Sequence, residues 1–396
     1  MSRRLVVASV LGLAACAGSQ KVDSAQATTP VQERMRIINQ PPFDVALCQQ
    51  RTLSLPQPVN QALLVGALAA AQPQVMECLV DPKSRAGAET TRVMVKASVT
   101  DQSATHSVTG ENLSPEGQQC VQRVVSELAP LQPLSKGAKP VEAQTEFIHE
   151  ASNSPSLKFG VNEGSDFSGT VRLAQPTWCD CYAPYANRTP PMLTAAIKLT
   201  KGSATPADVT FEPSGSTEGD QLAACLKQKL LALPVTVSVD ELAFPYRFTH
   251  FNALATEPAA NLPGELRFYQ LDLVRGQRAA ATAMAFGTRS HAAEGYEALA
   301  TEYTKDPKKN SALIPKLREQ CGRLVKATDG WIAALEAQQG VDQQTVTLAQ
   351  ELKAKDAAWA EVETGSQGAL TATQQDLATA KQRRTEDEGI CVKLNK

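Results

Sequence analysis

The chain lacks an excess of charge of either sign, a second long apolar run, and the short motifs that carry most catalysis. Its 39 basic and 41 acidic residues leave a net charge of −2, so no strong field draws it to nucleic acid or to acidic lipid. Beyond the amino terminus no segment approaches the ~20 apolar residues of a membrane-spanning helix. There is no GxSxG elbow, no HExxH, no phosphate-cradling GxxxxGK[ST] and no dinucleotide GxGxxG, which removes the common hydrolase, zinc-protease and nucleotide-binding signatures. No nucleophile is supplied with its base, so the expectation is a protein that is not an enzyme and needs no cofactor.

What is present begins at the amino terminus. Arg3 and Arg4 precede an apolar run from Leu5 to Ala15, the layout of a secretion signal. The run ends in Leu13-Ala14-Ala15-Cys16, which resembles the bacterial lipobox. The resemblance implies cleavage before Cys16 and acylation of that residue. Each buried CH₂ contributes about 0.8 kcal/mol, and two or more chains make a stable anchor. The alternative is an ordinary signal cut at Ala15 or Ala17. Ala17 is not the Asp that retains enteric lipoproteins at the inner membrane, so the outer membrane is expected. Residues 17–42 are polar and close on a Pro pair, reading as a tether.

At 396 residues the chain exceeds one core, and two to three domains are expected. Setting Cys16 aside leaves Cys48, Cys78, Cys120, Cys179, Cys181, Cys225, Cys321 and Cys391. An even count in an exported chain implies disulfides, but four bridges connect in on the order of 100 ways. Internal repetition narrows the choice.

Residues 75–151 and 178–253 share an order of features. A cysteine is followed by an alternating strand, with Val93, Val95, Ala97 and Val99 on one face in the first copy and Leu193, Ala195, Ile197 and Leu199 in the second. A polar turn leads to a short strand near 106–108 or 209–211. A helix then opens at Ser114-Pro115-Glu116 or at Thr217-Glu218. Each helix carries a cysteine, Cys120 or Cys225, and a last strand follows in "TEFIHEA" or "YRFTHFNA". Each copy reads β-β-α-β. The near-equal spacing of Cys78 to Cys120 and of Cys181 to Cys225 suggests those two bridges, leaving Cys48 for Cys179.

Both copies resemble the carboxy-terminal domain of the myxobacterial AgmX/PglI proteins, which is related in fold to the TonB carboxy-terminal domain. "VMECL", the strand after it, the helix cysteine in "QQCVQRVV" and the final strand carry the likeness. Leu131-Gln132-Pro133 and Leu233-Pro234 stand where the family has Phe-Pro, and the leading helix is legible only in the first copy. The resemblance implies an envelope role tied to motility or transport machinery, and no catalysis. With no amino-terminal membrane helix to couple to a motor, the chain does not resemble a TonB energy transducer.

After Pro263 proline nearly vanishes. Leu313, Leu317, Cys321, Leu324, Thr328, Trp331 and Leu335 form a stripe of alternating three- and four-residue steps, the mark of an amphipathic helix. Gly340 is expected to end it, with Asp342 capping a next helix striped by Thr345, Leu348, Leu352, Trp359 and Val362. A break at Thr364-Gly365-Ser366 precedes a final helix with Leu370, Leu377, Arg384 and Cys391 at heptad spacing. An earlier helix over about 265–304 is expected to be interrupted near Gly287. The set reads as an antiparallel bundle, or alternatively as an extended helical arm. Cys321 and Cys391 are the cysteines of this region and are paired here, although up-down threading of these helices puts them at opposite ends.

Four sites invite chemistry. Cys179 and Cys181 in "WCDCYAP" have redox or soft-metal spacing, but no helix signal follows and structural disulfides are favoured. His149 and His250, each two residues after a Phe, could share a zinc if the copies pack symmetrically. No third ligand recurs, so they read as surface or edge histidines. Glu386-Asp387-Glu388 reads as a solvated helix face. "GVNEGSDFSG" has calcium-loop composition without the EF-hand spacing, and reads as a linker.

The expected fold class is α+β: two tandem TonB-C-like β-β-α-β domains, then an all-α helical bundle. The expected layout is a signal at 1–15, a tether at 16–42, a first domain at 43–153, a linker and second domain at 154–258, and the helical part at 259–396. The expected function is a lipid-anchored, outer-membrane adaptor with envelope protein partners and no nucleic acid, periplasmic or surface-facing. The alternative is a module binding a small ligand or peptidoglycan between the repeats.

Overall fold

A computed structural model describes residues 43–394 except 50–51, 81–83, 151–162, 236, 238–239 and 256–263. The chain is mixed α+β, with small sheets followed by a long helical region. The order is β1 (Phe43–Asp44), α1 (Gln61–Ala70), α2 (Gln72–Cys78), β2 (Thr90–Val99), β3 (Ala104–Glu111), α3 (Pro115–Leu128) and β4 (Val141–Glu150). Then come α4 (Glu163–Ala174), α5 (Cys179–Tyr182), β5 (Leu193–Thr200), β6 (Asp208–Phe211), α6 (Thr217–Leu231), β7 (Glu241–Phe248) and β8 (His250–Phe251). Three long helices close the chain: α7 (Gly264–Lys305), α8 (Ile314–Lys355) and α9 (Ala360–Leu394).

The first sheet has the order β3-β2-β4 and the second β6-β5-β7, both antiparallel with the first strand central. Val93 stands opposite Phe147 in one, and Leu193 opposite Phe248 in the other, which aligns the two units residue by residue. Val93, Val95, Ala97 and Val99 are buried against Val121 and Val125 of α3. Leu193, Ala195, Ile197 and Leu199 are buried against Leu222, Leu226 and Leu230 of α6. Ser114 caps α3 by accepting from Gly117 N at 3.1 Å. The equivalent cap of α6 is Ser216, one residue before the expected Thr217, accepting from Gly219 N at 3.1 Å.

Three differences from the sequence reading concern boundaries. The second unit does have leading helices, α4 and α5, so residues 163–169 of the supposed linker are helical. Residues 43–49, placed with the first domain on sequence, pack in the second: Phe43 and Val45 join Trp178, Tyr182 and Phe248 in one core, and β1 pairs in parallel with β8. Gly287, Gly340 and Gly365 interrupt nothing, because α7, α8 and α9 run through them. A glycine inside a helix costs only about 1 kcal/mol, less than the heptad stripes regain by burial. Thr364 and Ser366 bond their hydroxyls to the carbonyls of Ala360 (3.0 Å) and Val362 (2.8 Å) one turn back within the same helix. The real turn is at Asp356, whose carboxylate accepts from Ala358 N while Trp359 buries itself edge-on against Phe268.

Because α8 is one helix of 42 residues, Cys321 near its start and Cys391 near the end of α9 lie at the same end of the bundle. The helices are held in register by two polar layers. In one, Asp342 of α8 accepts from Arg275 Nε of α7 (3.0 Å) and from Thr373 of α9 (2.7 Å). In the other, Asp387 of α9 accepts from Arg289 of α7 (3.0 Å) and Thr328 of α8 (2.7 Å). The layers sit two heptads apart on every helix. Asp342 is therefore no helix cap, and Asp387 belongs to no solvated face: both carboxylates are buried.

Candidate functional site

The structure brings together Cys78 with Cys120, Cys181 with Cys225, Cys48 with Cys179 and Cys321 with Cys391. Cys16, the lipidation candidate, lies outside the described residues. Cys179 and Cys181 open the short helix α5 and each is tied to a different partner, which leaves no dithiol for redox work. Among the described residues Asp180, Cys181 and Cys225 form a cluster of metal-ligating residue types, and both of its sulfurs are consumed in a disulfide.

The two histidines are buried rather than on the surface. His250 spends both ring nitrogens, on Pro191 O at 2.9 Å and on the Tyr182 hydroxyl at 3.1 Å. His149 stands opposite Thr91 in the first sheet, near the charge of Arg85. Burial pushes both imidazoles down to about 4, the Arg85 charge adding to the effect at His149. Each is a neutral core group with neighbours of its own, an arrangement that does not support a shared zinc.

The units and α7 meet at a buried polar junction. Arg172 of α4 makes an ion pair with Glu77 of α2, its side chain 3% exposed, and its guanidinium lies 5.3 Å from the centre of the Phe43 ring. Asp44 accepts from Ala46 N and Ala253 N, both at 3.0 Å, and from Gln277 of α7 at 2.5 Å. Burial pushes its carboxyl up to about 6 against these hydrogen bonds. Burial also holds the Tyr182 and Tyr246 phenols above their usual range. Arg172, Glu77, Asp44 and Tyr182 each hold a structural partner, so the junction reads as a joint.

Sheet edges differ in kind, because each exposes backbone groups that another chain can pair with. On β3, the carbonyls of His106 and Val108 point away from β2, since the β2–β3 ladder alternates and Thr100 N bonds Ser103 O at its end. Both are capped from α3: Gln122 donates to His106 O at 3.2 Å and Gln118 to Val108 O at 2.6 Å. Helix α1 packs along β4. On β7 Pro245, opposite Ala196, removes an N–H.

Of the two three-stranded sheets, the remaining edge is β6. Val209 and Phe211 match His106 and Val108 through their partners Ile197 and Ala195. Glu212 N bonds Thr194 O at 3.0 Å, which places the polar backbone groups of Val209 and Phe211 on the outward side. With the helix cysteines aligned, Ala223 and Lys227 of α6 stand where α3 has Gln118 and Gln122. Among the described residues no side chain caps the β6 edge. In place of the two amides is a groove of ≈ 310 Å³ lined by Phe211, Glu212, Pro213, Asp220, Ala223, Ala224 and Lys227. The sequence reading missed this site; its one legible signal was the replacement of both glutamines between otherwise parallel helices.

No protein-family model matches the chain, and neither a curated protein nor a solved structure matches it. Among the described residues no helix is long and apolar enough to cross a membrane.

Proposed function

We propose that this chain is a non-enzymatic adaptor of a bacterial envelope, held at the outer membrane by an acylated Cys16 and engaging another envelope protein through β6. In this reading the two β-β-α-β units are TonB-C-like, and the assembly served belongs to motility or transport machinery. The observation that carries the reading is the uncapped edge: glutamines cap β3, a helix packs along β4 and a proline blunts β7, while β6 keeps its outward backbone groups beside a groove. An exposed strand edge is what β-strand addition uses. The buried titratable groups at the junction hold structural partners, which favours binding over chemistry.

The test has two arms in cells. A photo-crosslinking residue at Thr210 is expected to capture an envelope protein, and one at Thr105 on the capped β3 edge is expected not to. Feeding an alkyne-tagged fatty acid is expected to label the protein and to fail with Cys16→Ser. Equal capture from both edges, or unlabelled wild type, overturns the reading.

A further inference from the structure

We infer that β6 accepts an extended segment whose residues alternate basic and apolar, paired antiparallel along Asp208–Glu212. The inference rests on the adaptor reading and specifies its partner. Alternation along a strand puts Asp208, Thr210 and Glu212 on one face, and all three are exposed. Val209 is buried against the core under α6, and Phe211 lines the groove.

Each face dictates what a paired strand brings to it. On the solvent face, an antiparallel segment centred on Thr210 places residues opposite Asp208 and Glu212. Neither carboxylate makes an ion pair among the described residues: Lys198, across from Asp208, is turned to Glu241 at 2.9 Å. Lys or Arg at both partner positions supplies the missing charge. The protein already joins strands this way, through Lys96 to Glu142 at 2.9 Å and Arg92 to Glu146 at 3.4 Å. On the other face, the partner's intervening side chains lie beside Val209 and Phe211 over Ala223, Ala224 and the stem of Lys227, which suits aliphatic residues.

The same charges argue against a second copy as the occupant. Two β6 strands paired about Thr210 set Asp208 against Glu212 of the other copy at both ends, and like charges directly opposite destabilise a pair.

Fluorescence anisotropy on the purified, disulfide-intact chain tests this with two labelled peptides, one with the core Lys-Val-Thr-Val-Arg and one with Glu at both basic positions. The basic peptide is expected to bind saturably, and the acidic one about 10-fold more weakly or not at all. Asp208→Lys with Glu212→Lys reverses the preference. Ala223→Gln with Lys227→Gln, which installs the caps of β3, abolishes binding while circular dichroism stays unchanged. Equal binding of both peptides, no binding of either, or a dimer in sedimentation that the double glutamine variant dissolves overturns the inference. If Thr210 crosslinks an envelope protein while the peptides fail, the pattern is wrong and the adaptor reading stands. If the basic peptide binds and no crosslink forms in cells, the pattern stands and the adaptor reading fails.

Discussion

Asp44 is the residue at which the second unit and α7 are joined by one carboxylate, and its ionisation makes that joint sensitive to pH. The folded chain holds the proton up to about 6, against an ordinary value of 3.8. The raised folded value means that this group's contribution is fully present below pH 4 and is lost as pH rises through 6, a change of about 3 kcal/mol. The Asp44→Asn variant is neutral throughout and can still accept from Ala46 and Ala253. Measured by urea unfolding, its stability relative to wild type is expected to rise by about 3 kcal/mol between pH 4 and pH 7. His149 and His250 act in the other direction: their folded values of about 4 lie below the ordinary 6.5. Their contribution is present above 6.5 and is lost as pH falls through 4. With Asn at position 44 the opposing contribution of Asp44 is gone, so the variant is expected to lose stability more steeply on acidification than wild type. A variant whose pH profile parallels wild type would remove Asp44 from this role.

Helices α1 and α7 cross at two glycines, Gly66 and Gly287, whereas Gly340 inside α8 makes no such close approach. A Cβ on Gly287 would meet Ala62 O at 2.8 Å and Gly66 Cα at 3.3 Å, so backbone must move to admit it. Gly340 has nothing within 4 Å. Gly287→Ala is therefore expected to destabilise by about 1–3 kcal/mol. Gly340→Ala is expected to stabilise by about 0.5–1 kcal/mol, through helix propensity alone. Chemical denaturation of the two variants decides, and equal effects would show that the crossing tolerates a methyl group. These glycines also explain why helix ends were the poorly legible part of the fold. The stripe from Leu317 to Leu335 announces its helix by apolar spacing, but whether Gly340 stops it depends on contacts that spacing does not encode. The polar layers were hidden for a related reason: Asp342 and Asp387 look like a cap and a solvated patch until Arg275 and Arg289 are seen to reach them. The β-β-α-β order was legible because strand alternation and helix cysteines recur in register. The β6 edge was not, because Ala223 and Lys227 acquire meaning only beside Gln118 and Gln122 with the strand register known. Asp387→Ala leaves the half-buried Arg289 and the buried Thr328 hydroxyl without their carboxylate and is expected to cost about 1–3 kcal/mol. Replacing Arg289, Thr328 and Asp387 together by aliphatic residues is expected to restore that stability and loosen helix register, read as broadened amide resonances in the bundle.

Across the whole molecule, the segment that follows the proposed tether and the edge proposed for the partner belong to the same unit. Phe43 enters the core that also holds Val209, Leu222 and Phe248, and two disulfides lie between them: Cys48 to Cys179, and Cys181 to Cys225. Under the proposed anchoring, a pull on a strand bound at β6 passes to α6, across Cys181–Cys225 to α5, and across Cys179–Cys48 to β1 and the tether. The first unit and the bundle touch this path from the side, through Glu77 on Arg172 and Gln277 on Asp44. The Cys48–Cys179 bridge is the covalent link of that path nearest the tether, since β1 is only two residues long and pairs with two residues of β8. Replacing both cysteines by Ser is expected to cost about 3–5 kcal/mol by the loop-closure argument. It is also expected to release residues 43–49 before anything else opens. Limited proteolysis should then cut near Gln49 while the remaining bridges keep the body from Leu53 onward intact. The matched replacement at Cys321 and Cys391, remote from the path, is expected to leave residues 43–49 protected. If the two variants expose Gln49 equally, or neither does, the bridge is a general stabiliser and the route from β6 to the tether must run elsewhere.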